Sequence, residues 1–186
     1  MKIVKPNKLG IKQAVQILKR DGVVVYPTDT AYGLGGIYDS KKVTSRILKI
    51  KKREDQKFTI IASGLNQVEK FFKLNSTQKK LAKKYWPGPL SIVVSAHFAV
   101  RVPKNEITKT LARQVGKPLI ATSANLTGNQ TPYNSKQIIK EFINKKNQPD
   151  LIIDAGQLKR IKTSAIIKVT GRKIEVLRKG GIKFRD

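Results

Sequence analysis

Apolar residues recur along this chain in two alternating rhythms. From Leu9 to Arg20, Ile11, Ala14, Val15 and Leu18 fall at helical spacing, and Asp21-Gly22 supplies a glycine stop. Val23 to Tyr26 is a short continuous apolar run, the signature of a strand covered on both faces. Ser40 to Lys52 returns to the helical rhythm through Val43, Ile47 and Leu48, with a basic opposite face and Ser40 as its cap. Phe58 to Ala62 reads as a strand. Ser76 to Tyr85 reads as a helix stopped by Trp86-Pro87-Gly88-Pro89. Further strands are predicted over Leu90 to Ser95, Ala99 to Val102, Leu119 to Thr122, Leu151 to Asp154, Ala165 to Val169 and Ile174 to Leu177. Helices are predicted near Ile107 to Val115 and Ser135 to Asn144.

This interleaving predicts an α/β fold, a sheet flanked by helices. The close succession of strands near residues 90–102 and again near 165–177 predicts hairpins, so the sheet is expected to be mixed. No repeat, linker or compositional break divides the chain, and 186 residues suit one domain, 1–186.

Composition narrows the chemistry. A hydrophobic fraction of 39% and a charged fraction of 27% fit a globular protein. With no cysteine, disulfides, thiolate metal sites and a cysteine nucleophile are excluded; one histidine, His97, leaves little room for a histidine zinc site or a Ser-His-Asp triad. Nothing approaches the ~18 apolar residues of a membrane span, and the first ten residues lack a signal-peptide core, so a cytoplasmic location is expected. A formal net charge of +27 favours polyanions, whether RNA, DNA or a phosphate-rich ligand, although many of the lysines belong on solvated helix faces.

Three stretches carry candidate chemistry. Tyr26 to Gly36 leaves a buried strand with Thr28, Asp29, Thr30 and three glycines, which suits either a small polar ligand or a strand-ending turn bonded to its own backbone. It is neither a Walker loop nor a dinucleotide fingerprint. Lys51 and Arg53 end a basic helix. Two residues apart, they share no helical face and converge only where the helix unwinds, either to clamp phosphates or simply to complement the helix dipole. Ser123-Ala124-Asn125 follows a buried strand directly, the position of ligand sites in α/β sheets and equally of a local cap. Trp86 reads as a core anchor. Arg101, inside the apolar run Ala99 to Val102, requires an anion, either a protein carboxylate or that of a substrate.

In order, YPTDTAYGLG, Lys51-x-Arg53, WPGP, AVRVP and ATSANLTG resemble the motifs of the YrdC/TsaC family of L-threonylcarbamoyladenylate synthases, and Ser164 and the segment Val176 to Gly180 extend the likeness. The resemblance implies a twisted mixed sheet with a basic concave face. It implies a nucleotidyltransferase that joins L-threonine, bicarbonate and ATP, with Mg2+, into threonylcarbamoyl-adenylate and pyrophosphate for tRNA modification. By position, Lys51, Arg53, Lys57, Ser123, Asn125 and Arg178 would hold ATP, with Thr131 and His97 as looser contacts, and Lys51 and Arg53 would stabilise developing charge. Thr30, Arg101 and Ser164 would hold threonine, Arg101 facing its carboxylate. No side chain is assigned to a resident metal. The implied partners are a downstream tRNA threonylcarbamoyl transferase and tRNA or double-stranded RNA, and a purely RNA-binding protein of the same fold is the competing expectation. Several positions depart from the family pattern: Lys52-Arg53-Glu54 replaces Gly-Arg-Pro, Ala62 replaces a histidine, Lys168 an acidic residue and Lys179 a proline.

Overall fold

A computed structural model describes residues 1–182. Ten strands, β1 (Lys2–Val4), β2 (Val24–Pro27), β3 (Tyr32–Gly35), β4 (Phe58–Ile61), β5 (Leu90–Val93), β6 (Phe98–Arg101), β7 (Leu119–Ser123), β8 (Leu151–Ile153), β9 (Ala165–Thr170) and β10 (Lys173–Arg178), form one sheet. Their order is β1-β8-β2-β3-β7-β4-β6-β5-β9-β10, and parallel and antiparallel neighbours alternate irregularly, so the sheet is mixed as expected. Both predicted hairpins are present, β5 with β6 and β9 with β10. Six helices connect the strands: α1 (Lys8–Leu18), α2 (Lys41–Lys51), α3 (Leu65–Phe71), α4 (Ser76–Tyr85), α5 (Glu106–Val115) and α6 (Ser135–Phe142).

Strand residues alternate between two cores. Val24, Tyr26, Ile61, Leu119, Leu151 and Ile153 pack with Ala14 and Leu18 of α1 and Leu111 and Ala112 of α5. Their neighbours Val25, Ile60, Ile120 and Ile152 point the other way, toward Val43 and Ile47 of α2, Ala82 of α4 and Ile138 and Phe142 of α6. Burial on both faces is why these strands are continuous apolar runs.

Three elements lie outside the predicted set: β1, α3 and β3. The last runs through the glycine-rich stretch expected to be a loop, and its glycines serve packing. A Cβ at Gly35 would stand 1.6 Å from the Ile120 carbonyl oxygen, so close approach of β7 demands glycine there. Trp86 packs against the core as predicted and donates its indole N–H to the Leu90 carbonyl at 2.7 Å.

The helix α2 ends in a left-handed turn at Lys52, φ +50°, with the Arg53 N–H returning to the Leu48 carbonyl at 3.0 Å. This is the conformation glycine adopts without strain, and Lys52 stands where the resemblance expects glycine. Lys52→Gly is therefore expected to raise stability by about 0.5–1 kcal/mol, read as a higher urea midpoint at an unchanged slope.

Candidate active site

The face of the sheet that packs on α1 and α5 continues beyond those helices without cover. The ladders set Thr59 beside Ala99 and Ala121, Val93 beside Ala99, and Lys168 beside Glu175. These residues line an open cleft of about 1030 Å³, whose other walls include Thr28, Thr30, Arg53, Lys57, His97, Arg101, Ser123, Thr131, Ser164 and Arg178. Among the described residues its charged lining is five cations, Arg53, Lys57, Arg101, Lys168 and Arg178, against one carboxylate, Glu175. Such a cleft concentrates anions.

At its floor lies Arg101, only 3% exposed. One guanidinium nitrogen, Nη2, donates to Asp29 Oδ1 at 3.0 Å and to Thr30 Oγ1 at 3.4 Å. Nε and Nη1 are buried with no partner among the described residues. Asp29 is itself fixed by the Lys104 N–H at 3.1 Å, while Thr28 closes its own turn by donating to the Ala31 carbonyl at 2.7 Å. Of the two readings of Arg101, the protein carboxylate is the one the structure shows, in Asp29. Burial lowers the Arg101 pKa from its ordinary value, with Asp29 working against that shift.

Arg178 approaches from β10, its pKa lowered by burial of the guanidinium and by the like charge of Arg101. It donates from Nε to the Ser164 carbonyl and from Nη2 to Ser164 Oγ, both at 3.0 Å. A β-bulge between Val176 and Arg178 lets the consecutive residues Leu177 and Arg178 both line the cleft.

On the opposite wall, Arg53 donates to Asp55 at 3.1 Å and to the Lys57 carbonyl at 2.5 Å, and lies 5.2 Å from the Phe58 ring centroid. The left-handed turn at Lys52 sends Lys51 away from it. Lys51 does not line the cleft; it is 3% exposed and donates to the Ser123 and Asn125 carbonyls, each at 2.7 Å. Asn125 is also behind the wall, its amide donating to the Asn129 carbonyl at 2.6 Å. Glu141 secures the same loop by accepting from the Leu126 N–H at 2.6 Å. Burial, with the charge of Arg53 adding and Glu141 opposing, brings the Lys51 pKa down to about 8. Of the eleven side chains singled out in the sequence, the structure therefore gathers Thr30, Arg53, Lys57, His97, Arg101, Ser123, Thr131, Ser164 and Arg178 around one cleft. Lys51 and Asn125 stand behind Ser123.

Sequence reasoning passed over Asp29 as the partner of Arg101, Glu141 as the anchor of the 123–129 loop, and Ser91. The last left a faint signal, a lone hydroxyl in an otherwise apolar strand start. Among the described residues no group of three or more His, Cys, Asp or Glu side chains is placed to hold a metal ion.

A cation-lined cleft on the open face of a mixed α/β sheet, with a buried arginine at its floor, defines the class. The chain belongs to the Sua5/YciO/YrdC family, whose sequence profile, described as telomere recombination, matches residues 16–180. It is 31% identical over its whole length to a putative threonylcarbamoyl-AMP synthase of Methanocaldococcus jannaschii, covering 94% of that protein. It is 36% identical to a threonylcarbamoyl-AMP synthase of Psychromonas ingrahamii over 78% of this chain and 84% of that one. The solved structure of P. abyssi Sua5 complexed with L-threonine superposes with a TM-score of 0.85 at 28% identity, over 97% of this chain and 56% of Sua5. E. coli YciO superposes with a TM-score of 0.84, also at 28% identity, over 97% of this chain and 95% of YciO.

Proposed function

We propose that this chain is a threonylcarbamoyl-AMP synthase, a nucleotidyltransferase of the cytoplasm that makes the adenylate from L-threonine, bicarbonate and ATP. The observation that carries the reading is Arg101, a cleft-lining residue whose buried guanidinium keeps two nitrogens without a partner among the described residues. An amino-acid carboxylate supplies the missing anion, and a relative of the same fold is described as complexed with L-threonine.

The reaction needs no protein nucleophile. The threonine amine attacks carbon dioxide derived from bicarbonate, giving a carbamate after loss of a proton. A carbamate oxygen then attacks the α-phosphate of ATP, the bond to the bridging oxygen breaks, and pyrophosphate leaves. The protein's work is to hold two anions together and to stabilise charge growing on phosphate. Arg101 and Thr30 orient threonine, while Arg53, Lys57 and Arg178 ring the space where phosphates would lie, reducing their repulsion against the carboxylate. Ser123, presented by the loop that Lys51 braces, would contact the nucleotide, with Thr131 and His97 at its margin. Magnesium would enter with the ATP phosphates.

The product would pass to a tRNA threonylcarbamoyl transferase. The charge of +27 favours a second property, direct affinity for tRNA or double-stranded RNA. The deciding measurement is pyrophosphate release. Release that stops when threonine or bicarbonate is omitted is expected; release indifferent to both, or RNA binding with no release at all, would reject the synthase.

A further inference from the structure

Beneath Ser164 lies a hydroxyl that the proposed reaction does not use. Ser91 of β5 is fully buried, and the β5–β9 ladder sets it beside Ile166, on the cleft face of the sheet but under the cleft floor. Its Oγ lies 3.1 Å from Ser164 Oγ, its one hydrogen-bond partner among the described residues. A serine hydroxyl has one proton and two lone pairs. The Ser91 proton has no other acceptor here, so leaving it undirected would cost the desolvation of a buried donor. Ser91 must therefore donate to Ser164. Arg178 Nη2 also donates to Ser164 Oγ, at 3.0 Å. The two lone pairs of Ser164 are then filled, and what it has left is its own O–H, directed at the cleft it lines.

We infer that Ser91 is a positioning residue that makes Ser164 an obligate hydrogen-bond donor, so that this wall of the amino-acid pocket recognises an oxygen acceptor on the ligand and rejects an ammonium or N–H group. Resting on the synthase reading, in which Arg101 takes the carboxylate, the acceptor is the threonine hydroxyl. The pocket would thereby separate threonine from amino acids of the same size that lack that oxygen.

Two measurements test this independently. Neutron diffraction from the deuterium-exchanged, unliganded protein should place the Ser91 deuteron on the line to Ser164 Oγ and the Ser164 deuteron toward the cleft. A Ser164 deuteron lying toward Ser91 overturns the inference, whatever the cleft binds. Calorimetric titration with L-threonine and with L-2-aminobutyrate, which lacks the hydroxyl, supplies the second arm. Ser91→Ala should weaken threonine about tenfold, leave 2-aminobutyrate unchanged, and keep the turnover rate at saturating threonine. Ser91→Thr, which keeps the hydroxyl, should restore the preference. Equal weakening of both amino acids, or of neither, overturns the inference. Failure of the wild-type protein to bind threonine would instead reject the synthase reading, and the neutron arm would still decide the proton's direction.

Discussion

Replacing Arg101 with alanine is expected to lower threonine-dependent pyrophosphate release by about a hundredfold or more, because two charge-assisted hydrogen bonds to the amino acid would be lost together. The loss should fall on the threonine side, as a higher KM for threonine with the KM for ATP little changed. Stability suffers as well. Asp29, whose side chain is 13% exposed, would keep its Lys104 N–H but lose its countercharge. An ion pair broken on one side at such a site costs about 3 kcal/mol, so the variant must be shown to be folded before its kinetics are read. Arg101→Lys separates the effects. It keeps a charge for Asp29 and should recover most of the stability, but a point ammonium cannot serve Asp29 and a ligand with a rigid fork, so activity should stay low. Asp29→Asn gives the converse, a mispositioned but free guanidinium, and should reduce activity less than Arg101→Ala. If Arg101→Lys were as active as wild type, Arg101 would be only a structural countercharge, and the threonine assignment would fall.

Arg101 was legible in the sequence because a guanidinium inside Ala99 to Val102 cannot be buried without an anion. That its anion is Asp29 was not legible, since Asp29 lies 72 residues away and meets it only when β4 pairs with β6 on one side and β7 on the other. The same division runs through the fold. Strands buried on both faces announce themselves as apolar runs, and α4 and the β9–β10 hairpin fall where the pattern puts them. β3 did not, because Tyr32 to Gly35 carries glycines that ordinarily mark a turn, and here they make room for the Ile120 carbonyl. β1 is only three residues long and is fixed by parallel pairing with Leu151 to Ile153, at the far end of the chain. Ser91 gains meaning only through register, which no local pattern encodes. Both Lys51 and Arg53 were expected on the phosphates, but the left-handed turn at Lys52 leaves Arg53 lining the cleft and Lys51 behind its wall.

That divergence yields the second large effect. Lys51→Met should cost about 2–4 kcal/mol, because two buried carbonyls, those of Ser123 and Asn125, would lose their shared donor. Activity should fall at least about tenfold through displacement of Ser123, with the KM for ATP raised more than that for threonine. A pH signature ties the effect to the ammonium itself. The folded pKa, about 8, lies below the ordinary lysine value of 10.5, so between these limits the unfolded chain binds more protons than the folded one. The penalty for burying the charge is complete below about pH 8 and is relieved as pH climbs toward 10.5. The Lys51-dependent part of the stability therefore increases with pH across that window, and the wild-type curve should rise away from that of Lys51→Met. Urea denaturation at a series of pH values reads both quantities. Parallel pH profiles would exclude a buried, depressed lysine. Lost activity at unchanged urea midpoint would mean that Lys51 reaches the phosphates directly rather than bracing the loop that meets them.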